Sequence, residues 1–170
     1  MKKAFYLLVA CCLLFVTNGC KYTYKFETQT INNEFSVSVP DYLSKVDNLK
    51  TGAEFQYSNR FRNTYSVIFS EKKTKAFPTF YSENLKVIKN VLEKPTVSDS
   101  STVEVGGTKG IHTELYGKMQ GELIYYSVLT LESTEKYYQF CIWTRGEDRK
   151  LKYGDDIQKM LLSFQLLAAH

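Results

Sequence analysis

Histidine, proline and cysteine are scarce in this 170-residue chain, which holds two His, three Pro, four Cys and a single Trp. Two histidines leave little room for His-based metal or acid–base chemistry. No apolar run reaches the roughly 20 residues that a membrane-spanning helix needs. No GxSxG, phosphate-loop, HExxH, CxxC or EF-hand pattern occurs either, which removes the common sequence signatures of hydrolases, nucleotide binders and metal sites. Neither sign of charge dominates: 22 basic side chains face 18 acidic ones, so there is no electrostatic footprint for nucleic acid. What is present is a globular balance of 24% charged and 44% apolar residues, with aromatics at 15% from 13 Tyr, 11 Phe and the Trp. One domain of about 150 residues is expected, large enough to bury roughly 70% of its unfolded surface.

The first residues have the organisation of an export signal. Lys2 and Lys3 form a positive start, and Ala4 to Val16 is an apolar run of 13 residues. The run closes on Thr17-Asn18-Gly19-Cys20, with a small residue directly before a cysteine. This segment resembles the lipobox of bacterial lipoproteins, in which the cysteine thiol is diacylglycerated and becomes the new N-terminus. The resemblance implies a signal peptide over 1–19, a lipidated tether over 20–33 and a single globular domain over 34–167. It implies an exported protein held in the bacterial cell envelope through lipid on Cys20, with the outer membrane favoured over the inner. Palmitate-length chains contribute roughly 0.8 kcal/mol per buried methylene to such an anchor. Ordinary cleavage after Gly19 is the alternative, and gives a soluble secreted domain.

The cysteine arithmetic follows. Cys11 and Cys12 leave with the signal and Cys20 is taken by lipid, so Cys141 has no partner for an intrachain disulfide. Between Phe140, Ile142 and Trp143 it reads as a small packed hydrophobe rather than a nucleophile. Without Lys2 and Lys3, 20 basic and 18 acidic side chains remain.

The mature chain reads as strands with two helices. Phe35, Val37 and Val39 alternate with Ser36 and Ser38 up to Pro40. Phe55 and Tyr57, then Tyr65, Val67 and Phe69, form a hairpin across the polar bridge from Ser58 to Asn63. From Phe77 to Lys94 the period changes: Phe77, Tyr81, Leu85, Ile88 and Leu92 lie on one helical face, and Pro95 ends it. Thr102 to Val105 meets the turn Gly106-Gly107. Ile111 to Tyr116 runs into a Gly117 to Gly121 loop. Leu123 to Leu131 and Lys136 to Arg145 are long strands joined at Ser133-Thr134. Asp155 is placed to cap a closing helix carrying Ile157, Met160, Leu161 and Phe164.

A turn centred on Ser133-Thr134 puts Leu123, Tyr125, Leu129 and Leu131 with Tyr138, Phe140 and Ile142 on one face. The other face carries Ile124, Tyr126 and Val128 with Tyr137, Gln139, Cys141 and Trp143. A preceding loop centred on Met119 adds Ile111 and Leu115 to the first face, and His112 and Glu114 to the second. The first is a core face, and the second is apolar at its centre. The expected fold is therefore α+β, an antiparallel sheet with helices packed on both faces. The order of elements, the segments Asn33-Glu34-Phe35-Ser36-Val37-Ser38-Val39-Pro40 and Val103-Glu104-Val105-Gly106-Gly107, the Tyr-rich strand pair and the ending Leu162-Ser163-Phe164 resemble the PsbP-like family. That resemblance spans about residues 30 to 165 and implies an α/β/α sandwich with a non-enzymatic binding or accessory role. It carries over no functional residue and no cofactor.

The candidate binding surface is the second face, with His112, Glu114, Tyr126, Tyr137 and Trp143. Trp143 and Cys141 are expected beneath the Phe77–Lys94 helix, and His112, Glu114 and Tyr137 at its open margin. The alternative is a small metal-dependent or hydrolytic enzyme using His112 and nearby acids. Glu147, Asp148, Asp155 and Asp156 lack the spacing of a calcium loop and read as caps and surface pairs. Arg60-Phe61-Arg62 mixes cation and aromatic in a hairpin loop, a solvated loop or a contact for acidic polymer or lipid. No metal, cofactor or nucleic acid is expected. The partners are the membrane, through lipid at Cys20, and an envelope protein or glycan.

Overall fold

The structure, a computed structural model, describes residues 23–167. The signal segment and Cys20 lie outside them. In chain order the elements are β1 (Phe26–Ile31), β2 (Phe35–Pro40), β3 (Ser44–Lys45), β4 (Phe55–Asn59), β5 (Thr64–Lys72), α1 (Phe77–Asn90), β6 (Glu93–Val105), β7 (Thr108–Met119), β8 (Glu122–Glu132), β9 (Lys136–Arg145), α2 (Arg149–Leu162) and β10 (Gln165–Leu166). Seven strands form one sheet in the order β3-β4-β5-β9-β8-β7-β6, and β1-β2-β10 form a second of three. The strand pairs are antiparallel. The described residues form an α+β fold, mostly antiparallel sheet with two helices.

Side chains on a strand alternate between faces, and the core divides accordingly. Tyr125, Leu129, Phe140 and Ile142 pack in one cluster with Tyr153, Ile157, Met160 and Leu161 of α2 and with Phe35, Val37 and Val39 of the small sheet. Ile124, Val128 and Cys141 point the other way and pack with Val67, Leu115, Leu92 and Ile88 of α1. The cover over the first cluster is thus a helix together with a second sheet, a layer the sequence did not announce.

Register decides which residues share a face. The β8–β9 hairpin pairs Tyr126 with Trp143 and Val128 with Cys141. That is two residues away from a turn centred on Ser133-Thr134, and an even slip keeps every side chain on its expected face. The β7–β8 hairpin differs. Gln120 and Gly121, at φ 54° and 82°, are the two left-handed residues of a tight turn, and Met119 pairs with Glu122. The offset from a loop centred on Met119 is odd, so β7 is turned over. Leu115 lies opposite Tyr126 on the second face, whereas His112 and Glu114 lie opposite Leu129 and Ser127 on the first.

Three boundaries also move. The stretch expected as tether contains β1, which pairs with β2 from Phe26↔Pro40 to Ile31↔Phe35 around Asn32 and Asn33, both left-handed. Helix α1 stops at Asn90, and Pro95 lies inside β6, an edge strand whose outer side needs no donor. Helix α2 starts at Arg149, so Asp155 sits inside it, and Asp148 at the N-cap makes no side-chain cap bond.

Candidate functional site

Residues directly opposite on neighbouring strands touch across a sheet face. On the second face Trp143 of β9 lies opposite Tyr65 of β5 and opposite Tyr126 of β8. The three rings therefore form a stacked ladder: Tyr65 to Trp143 is 5.3 Å between centroids at 16°, and Tyr126 to Trp143 is 5.6 Å at 27°. All three are half-buried. Beside the ladder, α1 stands off the sheet and leaves a cavity of about 270 Å³, with Val67 and Cys141 on its floor and Leu49, Val87, Ile88 and Val91 on its walls. Polar groups are few: Gln139, Asn84 and Lys50. Val87 and Val91 are 58% and 52% exposed, which makes them the rim.

Apart from the exposed Lys50, the cavity lining carries no charged side chain. Burial pushes the Cys141 thiol up to about 12. Burial, with Cys141 nearby, pushes the Tyr126 hydroxyl up to about 12 as well. Neither group ionises near neutral pH, so the floor offers no thiolate or phenolate. The arrangement can hold an apolar or planar group. It supplies no charged nucleophile to react with one.

Of the residues expected to share this surface, the structure brings together Tyr126 and Trp143. Tyr137 lies at the far end of α1, 2% exposed, with its ring 4.6 Å from Phe80 and 5.6 Å from Phe77. Its hydroxyl donates to the Lys75 carbonyl at 2.7 Å. Cys141 lies beneath α1 as expected, but Tyr137 and Trp143 exchange places: the N-terminal turn of α1 covers Tyr137, and Trp143 stands at the open edge.

His112 and Glu114 are on the opposite face, where Glu114 meets α2. His112 Nε2 lies 2.8 Å from Ser127 Oγ. Glu114 accepts hydrogen bonds from Tyr125 at 2.7 Å, Lys150 at 2.7 Å and Gln158 at 3.1 Å. Burial pulls the His112 pKa below its ordinary value, against the opposing pull of Glu114 and Asp99. Burial also pushes the Glu114 carboxyl up, but the bonds from Lys150 and Tyr125 outweigh it and hold the group below its usual range. This cluster fastens α2 to β7. Among the described residues no three His, Cys, Asp or Glu side chains gather around a point where a metal ion would sit.

Sequence reasoning missed Tyr65, Val87 and Val91 as parts of the site. Tyr65 was legible as a strand residue, but its place beside Trp143 depends on the non-local pairing of β5 with β9. Val87, in the last turn of α1, and Val91, at its C-cap, are four apart and off the buried stripe, which is the available signal for a second apolar edge.

No known protein family matches the chain in sequence, and no curated protein does. Solved structures do. Cyanobacterial PsbP (CyanoP) from Synechocystis sp. PCC 6803 superposes with a TM-score of 0.61 at 11% identity, over 90% of this chain and 99% of that one. A mutant of Mog1 gives 0.58 at 11% identity, over 85% and 97%. LpqN, described as involved in cell envelope biogenesis of Mycobacterium tuberculosis, gives 0.57 at 10% identity, over 86% and 93%. The fold is PsbP- and Mog1-like, and at these identities the likeness concerns fold alone.

Proposed function

We propose that this protein is an exported bacterial lipoprotein, anchored through Cys20 in the cell envelope. In this reading its PsbP-like α/β/α sandwich is a non-enzymatic binding or accessory module that takes its partner in the cleft under α1. The carrying observation is the ladder Tyr65–Trp143–Tyr126, half-buried beside a mostly apolar cavity. Stacked aromatic rings offer rigid area with little ordering cost, the usual chemistry of a recognition surface. The cavity, about 270 Å³, is at the small end for a ligand pocket and suits one apolar side chain or one sugar ring of an envelope protein or glycan. Hydrolytic chemistry at His112 has less in its favour. The hydroxyl beside it belongs to Ser127, which is 0% exposed and out of reach of a substrate.

Because Trp143 is the single tryptophan, its emission reports on the cleft. The full chain titrated with 8-anilinonaphthalene-1-sulfonate is expected to show saturable energy transfer from Trp143. Val87→Asp, at the exposed rim, should weaken it at least tenfold while circular dichroism stays unchanged. Transfer that is unsaturable, or indifferent to Val87→Asp, overturns the reading. A blue shift of Trp143 with N-acetylglucosamine oligomers selects the glycan over the protein partner.

A further inference from the structure

We propose that the end of the domain bearing Phe61 and Leu151 rests on the bilayer, so that the protein stands at the membrane in one orientation; this builds on the acylated Cys20 proposed above. The chain is fastened early. The Arg62 guanidinium lies 4.8 Å from the ring centre of Tyr24, 4.9 Å from Tyr42 and 5.7 Å from Tyr153. It donates to the Tyr24 hydroxyl and, at 3.3 Å, to that of Tyr153. The Tyr24 ring also meets Tyr42 edge-on at 4.6 Å. Four backbone steps separate Cys20 from Tyr24, and at full extension they span only about 14 Å. A leash that short leaves the domain no choice of which end approaches the lipid.

That end is where the largest apolar exposure is found. Phe61, next to Arg62 at the tip of the β4–β5 hairpin, is 97% exposed, and Leu151, in the first turn of α2, is 91% exposed. Among the described residues the other exposed large hydrophobics lie between 38% and 58%. The two belong to one end of the sheet. Thr64 pairs with Thr144 just inside the hairpin tip, and Arg145 N–H donates to the Asn63 carbonyl where β9 leads into α2. Arg60 and Lys152 flank them in sequence and can snorkel toward headgroups. Glu147 and Asp148 stand nearby, so the charge is mixed and anionic lipid is not required. A bilayer is the occupant that fits: a Phe ring and a Leu side chain suit the boundary of headgroup and acyl chain, some 5–10 Å deep.

The test uses the full chain processed in a lipoprotein-forming bacterium, purified and reconstituted into vesicles of phosphatidylethanolamine and phosphatidylglycerol containing brominated phospholipid. In a Trp143→Phe background, a single reporter is introduced as Phe61→Trp or, at the opposite end, as the exposed turn residue Glu135→Trp. Bromine near the headgroup end of the acyl chain should quench the reporter at 61 by at least twofold and leave that at 135 unchanged. Equal quenching at both positions, or quenching at 135 alone, in protein that floats with the vesicles and takes up labelled palmitate, overturns the orientation and leaves the anchor standing. Protein that neither incorporates palmitate nor floats overturns the anchor and the orientation together.

Discussion

Two hydroxyls in the core, Ser66 Oγ and Thr144 Oγ1, have no hydrogen-bond partner among the described residues, and both side chains are 0% exposed. An unsatisfied buried hydroxyl costs free energy that an isosteric methyl does not. Thr144→Val should therefore raise stability by about 1 kcal/mol, read as a higher urea midpoint at unchanged slope. Cys141 has the opposite character, a buried sulfur that fills space. With its thiol held near 12 by burial, almost no thiolate exists at pH 8. Native protein should resist a thiol reagent and react fully after unfolding, and Cys141→Ala should cost about 1–2 kcal/mol through lost packing.

Among the elements, β7 carries the sharpest constraint. A Cβ built on Gly110 would lie 2.2 Å from the Thr130 carbonyl oxygen and 2.8 Å from Leu131. Backbone cannot yield as a flexible side chain does, so Gly110→Ala should cost at least about 2 kcal/mol or prevent β7 from pairing with β8. Two groups on this face of β7 give a pH dependence. His112 is shifted below its ordinary 6.5 and Glu114 below its ordinary 4.5. In both cases the unfolded chain binds the proton more readily. The stabilisation is complete above the ordinary values and is lost as pH falls, from His112 below about 6.5 and from Glu114 below about 4.5. Glu114→Gln should lower the melting temperature at pH 7 and flatten the acid limb of stability against pH. A parallel limb in the variant would assign the acid sensitivity to other groups.

The same elements show where sequence is enough. Helix α1, the β4–β5 hairpin, the Gly106-Gly107 turn and the faces of β8 and β9 are local patterns, and an even slip between β8 and β9 did no damage. That is why Tyr126 and Trp143 could be placed together without a structure. The face of β7 hung on one turn residue: Gln120 in a left-handed conformation moves the register by an odd step, and no side-chain pattern in Ile111 to Tyr116 resists it. β6 was mostly invisible because Thr96 to Ser101 is polar and the strand lies at an edge, where neither face must be apolar. The start of α2 was hidden by Gly154 and the basic run at Arg149 to Lys152.

At the scale of the molecule, the proposed anchor has a direct test at Cys20. Cys20→Ala should accumulate as precursor or be released from the membrane fraction. A variant that matures and still sediments with membrane would dismiss the lipoprotein reading. The margins of the seven-stranded sheet have a consequence of their own. One margin is β3, two residues long, and the other is β6, where Pro95 lacks an N–H and the pairing with β7 breaks between Glu93 and Thr96 and again between Val97 and Asp99. Copies held side by side in two dimensions, as the proposed anchor would hold them, meet far more often than copies in bulk solution, and an open strand invites them to pair edge to edge. A sheet that finishes in a stub on one side, and on the other in a strand broken and proline-bearing over its first half, leaves a neighbour only the short run from Asp99 to Val105 to pair with, which disfavours growth beyond seven strands.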